Sequence, residues 1–391
     1  MSVMPRTIPR VMVVYGTRPE LIKLAPVILG LRDSPLFDTE VVSTGQHAHM
    51  LAQVEGVFGI RPDVDLQLMT HGQSLGRVTS EVTAALDSIL AERVPDCLLV
   101  QGDTTTVAAA ALAAFNRQVP VVHLEAGLRS HDLASPFPEE GNRRIVSQIA
   151  ALHLAPTADA AGNLLAEGIS ARDICVTGNT VTDALLWAGR RDTALSDPTL
   201  AAIVDGDRPL VLFTAHRREN IGEPMRGIAR AIRRIALDHP DHTIIWPAHK
   251  NPTVRVLLRP QLTDLPNVVV TEPLDYLELV RVMHRARLVI TDSGGIQEEA
   301  PTLGVPVLVL RETTERPEGV DAGVVALIGT DADKIVSATR HLLEDPAAHA
   351  EMAQAVSPYG DGRCAPRCVD AIGVMLGLPT TTLATGAGYV A

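Results

Sequence analysis

Residues 287–319 read RLVITDSGGIQEEAPTLGVPVLVLRETTERPEG, and the architecture of the chain is legible in them. Leu288, Val289, Ile290 and Thr291 form an unbroken apolar and β-branched run, as in a strand buried on both faces of a parallel sheet. Asp292 and Ser293 are both helix-capping types, and Gly294-Gly295 reads as a turn. Residues 296–303 have the length of a short helix, Gly304 stops it, and a second strand follows at 307–310. The turn offers backbone N–H groups and the positive end of a helix dipole, which suit a phosphate or diphosphate. A purely structural turn also needs small residues. The Gln297-Glu298-Glu299 run and the polar residues 311–318 favour binding, because a bare connection needs neither.

The same alternation extends in both directions. Strands are expected at 11–15, 39–43, 97–101, 120–124, 151–155 and 174–176, then at 210–214, 243–246, 267–271, 288–291 and 305–310. Between them lie helical segments at 21–31, 49–58, 75–93, 104–116, 180–190, 225–237 and 276–285. In the longest, Val78, Val82, Leu86 and Leu90 share one stripe. Three more helices, at 332–343, 347–356 and 368–376, end the chain. Strands alternating with helices imply an α/β protein of parallel, doubly wound sheets with right-handed crossovers. The stretch RDTALSDPTLAAIVDGDRP (191–209), with two prolines and four aspartates, reads as a linker. The expected organisation is therefore a domain at 1–190, a second at 206–360, and a C-terminal helix and tail at 361–391 that return toward the first. The two domains are expected to face a cleft, with ligands beyond the carboxyl ends of the strands.

Composition narrows the function. Of 391 residues, 46% are hydrophobic but only 3% aromatic, so the cores are built from Ala, Val, Leu and Ile. A net charge of -12 argues against nucleic-acid or anionic-membrane binding. Cys97, Cys175, Cys364 and Cys368 are scattered and form no disulfide framework or zinc motif. The N-terminus lacks a signal-peptide core and no apolar run reaches membrane-span length, so a cytoplasmic location is expected.

The residues just past each strand are the ones that face a ligand. In the first half these are Arg18, Glu20, Lys23, Asp103 and Glu125, with Glu139-Glu140 opening a helix. In the second half His216 to Glu219 and His249-Lys250 hold the corresponding places. Three carboxylates and a histidine are a plausible acid–base set. Each also has an ordinary reading as a helix cap, dipole partner or ion pair. Gln46-His47-Ala48-His49 is expected to hold no metal, because histidines two apart on a helix do not share a face. A nicotinamide fingerprint, a P-loop and a nucleophile elbow are all missing from the sequence.

Taken together, the motifs identify a resemblance. GTRPELIKLAPV (16–27), QGDTTT (101–106), HLEAGLRS (123–130), SPFPEEGNRR (135–144), TGNTVTDAL (177–185), TAHRREN (214–220), residues 291–319 and SPYGDGR (357–363) resemble the bacterial non-hydrolysing UDP-N-acetylglucosamine 2-epimerases, in order and over nearly the whole chain. The resemblance implies two Rossmann-like domains in the GT-B manner, a homodimer, a UDP-sugar substrate, and no metal or other cofactor. It implies inversion at C2, interconverting UDP-GlcNAc and UDP-ManNAc through elimination of UDP to 2-acetamidoglucal and re-addition. By motif, Asp103, Glu125 and Glu139 are then the acid–base carboxylates and His216 assists departure of UDP. Arg18, Lys23 and Arg143 position substrate and phosphates; Ser293, Gly294 and Gly295 take the diphosphate; Glu299 accepts from the ribose. Arg316 and His249 lie near the nucleotide. Leu279 stands where some relatives carry an aromatic near the uracil. The alternatives are a C2 epimerase of a modified UDP-sugar such as a diacetamido uronic acid, a hydrolysing epimerase, a GT-B glycosyltransferase, or a nucleotide-sugar sensor.

Overall fold

The central strand of the N-terminal half, β1 (Arg10–Tyr15), is buried along Val11 to Tyr15 because strands flank it on both edges. The computed structural model describes residues 8–45, 48–70, 72–191, 194–314, 316–378 and 388–389. The remaining strands of the first half are β2 (Asp38–Ser43), β3 (Val64–Asp65), β4 (Cys97–Gln101), β5 (Val121–Leu124), β6 (Leu152–Ala155) and β7 (Ile174–Val176). The second half contains β8 (Leu210–Thr214), β9 (Thr243–Pro247), β10 (Val268–Thr271), β11 (Ala286–Thr291), β12 (Val307–Val309) and β13 (Val325–Leu327), and β14 (Gly388–Tyr389) ends the chain.

Two sheets result. The first runs β14-β7-β6-β5-β4-β1-β2-β3, parallel except for the two-residue β14 at its edge; the second runs β10-β9-β8-β11-β12-β13 and is wholly parallel. In each, the strand order reverses once, between β1 and β4 in the first and between β8 and β11 in the second. Doubly wound sheets open a crevice at that point, because successive helices leave for opposite faces there.

Helices fill both faces. On the first sheet the Leu75–Arg93 helix buries Val78, Val82, Leu86 and Leu90 against the alanines of the Thr105–Asn116 helix. Alanine lets the two backbones approach closely, which is how a chain poor in aromatics reaches core density. On the second sheet the Glu223–Asp238 helix sets Ile228, Ile232 and Ile235 over Trp246 and Leu258. The chain divides into two compact units, residues 1–184 with 360–391, and residues 185–359. The return to the first unit is pinned where the Asp183 carboxylate accepts from the backbone N–H groups of Cys364 and Ala365, each at 3.0 Å.

The structure departs from the sequence reading in several places. Residues 191–209 are not wholly a linker, because they contain the Pro198–Val204 helix, capped by Asp197 with Pro198 in its first turn. Aspartate followed by proline is a helix start as well as a loop marker, and here the first applies. The first helix spans Arg18–Asp33, so Arg18, Pro19 and Glu20 form its opening turn rather than a loop. Strands β3, β13 and β14 and the helices Ala158–Ala166, Pro252–Leu262 and Pro317–Asp321 were not anticipated. Gln46, His47 and most of the tail from Pro379 lie outside the described residues. Among the described residues no helix is long and apolar enough to cross a membrane.

Gly127, shortly past the end of β5, is tightly constrained. Its φ is +90°, and a Cβ there would stand 2.1 Å from the carbonyl oxygen of Ala160. Gly168 has a similar φ of +86° but open space around it. Gly127→Ala is therefore expected to lower stability by roughly 3 kcal/mol or more, and Gly168→Ala by about 1–2 kcal/mol. Urea unfolding of the two variants checks this; equal losses would show that the close approach to Ala160 has no energetic weight.

Candidate functional site

The residues singled out in the sequence gather at the two points where strand order reverses. In the first unit, β1 is followed by Gly16, where a Cβ would stand 2.4 Å from Thr44 Oγ1 and 2.9 Å from Thr106 Oγ1. Glu20 is buried and accepts from the N–H groups of Gly16 (2.6 Å) and Thr17 (3.2 Å) and from the Thr104 hydroxyl (2.6 Å). Burial pushes its carboxyl up from the ordinary range. It closes a capping box and so ties the β1 and β4 loops together. Arg18 and Lys23 share its helix.

Glu125, just past β5, is the centre of this cluster. Its φ of +63° is left-handed, an arrangement uncommon for a residue with a side chain and costing about 1–3 kcal/mol. Its carboxylate lies 2.5 Å from Lys23 Nζ and also accepts from the side-chain amides of Gln101 and Asn179. Gly102, with φ +82°, lies against the same carboxylate, since a Cβ there would be 3.9 Å from Glu125 Oε2. His123, buried below, contacts the Gly102 carbonyl through Nε2 at 2.8 Å. Burial lowers its pKa to about 3, so it is a neutral spacer.

Asp103 follows Gly102. Arg143 Nη2 lies 2.5 Å from its carboxylate, and Asn142 donates to its backbone carbonyl at 2.8 Å. Both partners come from the Glu139–Ile149 helix. Glu139 opens that helix four residues before Arg143 and so lies on the same face. Its Oε2 is buried and has no hydrogen-bond partner among the described residues. Glu140 differs sharply. It is fully buried and accepts from Ser130 N (3.0 Å), Arg143 Nη1 (3.3 Å) and Arg144 Nε (3.1 Å). Desolvation pushes its pKa up, but the Ser130 N–H and the arginines outweigh it and hold the carboxyl below the ordinary range. Glu140 is a brace, whereas Glu139 is left available.

The second unit repeats the arrangement between β8 and β11. Asp292, one of the two residues of helix-capping type ahead of the following helix, instead turns its buried carboxylate toward the β8 loop. It accepts from the N–H groups of His216 (3.0 Å) and Arg217 (2.9 Å) and from Asn220 Nδ2 (3.1 Å), and lies 3.3 Å from His216 Nδ1. His216 stacks on His249, past the end of β9, with centroids 5.3 Å apart. Burial, and then the neighbouring His216, lower the His249 pKa. Its Nδ1 accepts from Asn251 N at 3.1 Å.

Gly294 and Gly295 are the first two residues of the Gly294–Thr302 helix, not a turn before it, and neither has a positive φ. Glycine is therefore not required by backbone conformation there. Lacking Cβ atoms, the pair leaves the first-turn N–H groups open to a ligand. Ser293 precedes them, and its side chain makes no cap hydrogen bond. Glu299 is half-buried on the same helix. Arg316 Nε lies 2.5 Å from Oε1 of the buried Glu298, and Thr314 donates to Gln297 Oε1 at 2.8 Å, which fastens Thr314 and Arg316 to the helix. Leu279 is half-buried in the Tyr276–Arg285 helix.

The sequence reading missed Gln101, Asn179, Asp292, Asn220 and Glu298. The rule that selected Asp103 and Glu125 points equally to Gln101 and Asn179, which end β4 and follow β7. Nothing in the sequence marks Asp292 as a brace, since its partners lie some 75 positions away.

Two doubly wound parallel sheets, each with polar side chains gathered beyond the strand ends at its switch point, define an α/β enzyme with a GT-B-like fold. The profile of the UDP-N-acetylglucosamine 2-epimerase family matches residues 30–373. The UDP-N-acetylglucosamine 2-epimerase of Escherichia coli O157:H7 is 46% identical over 370 residues, covering 93% of this chain and 98% of its own. A structure of UDP-GlcNAc 2-epimerase from Neisseria meningitidis bound to UDP-GlcNAc aligns with a TM-score of 0.86 at 43% identity, covering 93% of this chain and 99% of that one. A UDP co-structure of S. aureus MnaA aligns with a TM-score of 0.88 at 42% identity, over 96% and 98%. The chain belongs to the UDP-N-acetylglucosamine 2-epimerase family and is an isomerase by class.

The contrast between the adjacent glutamates yields a test. Glu140→Ala removes one partner of a buried ion pair and is expected to cost about 3–5 kcal/mol in urea unfolding. Glu139→Gln is expected to stay within about 0.5 kcal/mol of the parent while losing turnover. Equal destabilisation would make Glu139 a second brace.

Proposed function

We propose that the chain inverts C2 of UDP-GlcNAc, interconverting it with UDP-ManNAc by elimination and re-addition of UDP, and that it acts as a cytoplasmic homodimer without a cofactor. A carboxylate removes the C2 proton, the C1–O bond to UDP breaks, and 2-acetamidoglucal with a C1=C2 double bond remains. A second group then protonates C2 from the opposite face, and the β-phosphate oxygen of UDP returns to C1. Atoms and charge balance without an oxidant or metal, and the two groups regain their starting protonation by exchange with solvent.

The observation that carries this reading is the Glu125 carboxylate, held in a left-handed backbone position beside Asp103, with a cation, Lys23 or Arg143, against each. Strained non-glycine backbone is a mark of functional positions. Asp103, Glu125 and Glu139 would share the proton transfers, and Arg18, Lys23 and Arg143 would orient the substrate. In the second unit, Ser293 and the open N–H groups at Gly294 and Gly295 would take the diphosphate, Glu299 the ribose hydroxyls, and Arg316 and His249 would border the nucleotide. His216, its Nδ1 facing Asp292, has Nε2 left for the departing phosphate oxygen.

Incubation with UDP-GlcNAc in D2O, followed by proton NMR, tests the reaction. UDP-ManNAc carrying deuterium at C2 is expected. Protium retained in the product, or only free UDP and sugar, would contradict it. Asp103→Asn is expected to keep UDP affinity while turnover falls by about 100-fold or more; normal turnover would remove Asp103 from the proton transfers.

A further inference from the structure

We propose that His239, Asp241 and His242 form a binding site for zinc or a similar borderline divalent cation. Residues 239–242, HPDH, make the turn between the Glu223–Asp238 helix and the start of β9. This is the end of the strand opposite to His249, so the cluster is separate from the residues assigned to substrate.

The backbone of the turn is held from two sides. Asn267 Nδ2 donates to the carbonyls of Ala236 (2.9 Å), His239 (3.2 Å) and His242 (3.1 Å), and Arg208 Nη2 donates to the Pro240 carbonyl at 2.6 Å. This fastening fixes where the two histidines emerge. Both are 8% exposed, and their rings meet edge-on with centroids 5.5 Å apart at 72°. Two imidazoles bound tetrahedrally to one zinc ion at ~2.0–2.1 Å would have ring centres roughly 5 Å apart.

Oxygen ligands lie close by. One ligand atom from each of His239, Asp241 and His242 falls within 4.8 Å of the others. His242 Nδ1 is 3.0 Å from Asp241 Oδ1, near the roughly 3.3 Å that separates two atoms on a tetrahedral zinc. Glu344 Oε1 is 3.9 Å from His239 Nε2 but also 3.9 Å from Arg340 Nε, so it stands at the edge of the cluster. A plain His–Asp hydrogen bond explains Asp241 and His242; it does not explain why a nitrogen of His239 falls within 4.8 Å of both. The Asp241 side chain is mostly exposed and can swing by the ångström or so that closure requires. Two nitrogens and one carboxylate, with a fourth position for water, are a donor set for zinc rather than for calcium or magnesium. A bound ion holds the turn in its folded form and so stabilises the second unit by mass action.

The test is titration of metal-free protein with Zn2+ by calorimetry and with Co2+ by visible absorption, together with thermal unfolding. One ion per chain and a raised unfolding midpoint with Zn2+ are expected. His242→Ala and the surface variant Asp241→Ala are each expected to weaken binding by about tenfold or more and to lose the thermal gain. Asp241→Ala is also expected to keep its epimerase turnover. The stacked pair His216 and His249 is the competing site, so His249→Ala is expected to bind Zn2+ like the parent. No binding by the parent, equal binding by the Asp241 variant, or loss of binding in His249→Ala alone would each overturn the proposal.

Discussion

The left-handed backbone at Glu125, and the clamp that holds its carboxylate, is the constraint on which the first unit is built. A side chain at φ +63° is unfavourable by about 1–3 kcal/mol, so the position persists only where its surroundings over-determine it. Lys23 reaches it from the helix after β1, Gln101 from the end of β4 and Asn179 from beyond β7. Residues that follow or end three strands thus converge on a carboxylate that follows a fourth, β5, and the strand order β7-β6-β5-β4-β1 brings them together. Gly102 and Gly127 are the accompanying requirements: the first lies against the carboxylate, the second lets the chain pass the Ala158–Ala166 helix.

Asp292 serves the second unit in the same way, with opposite intent. Glu125 is clamped through its own carboxylate; Asp292 uses its carboxylate to clamp the β8 loop, and through it His216. The same division separates Glu140, saturated with partners, from Glu139, which is not. In both units a fully bonded acid lies beside an available group. Such pairing keeps the available group in place without consuming it.

Much of this architecture is legible in the sequence because parallel strands buried on both faces leave continuous apolar runs. The β4, β8 and Tyr276–Arg285 boundaries agree with the reading to the residue. The elements that escaped were short or ambiguous. Strand β3 has two residues, and the Pro198–Val204 helix begins with residues that also mark loops. Asp103, Glu125, Glu139 and His216 were reachable from the positions just past the strand ends and the helix starts. Their chemistry was not, because Glu139 and Glu140 differ only in the partners that the fold brings to each. Asp292 illustrates the same limit: an aspartate ahead of a helix is a cap by local rules, and only the pairing of β8 with β11 makes it a brace.

The central claim is that Glu125 takes part in proton transfer at C2 while the second unit holds UDP independently of it. Measuring solvent deuterium incorporation at C2 and UDP affinity on one preparation of Glu125→Gln tests that claim most directly. The account predicts exchange at C2 reduced by about 100-fold or more, with the dissociation constant for UDP within about twofold of the parent. Exchange at the parent rate would contradict it.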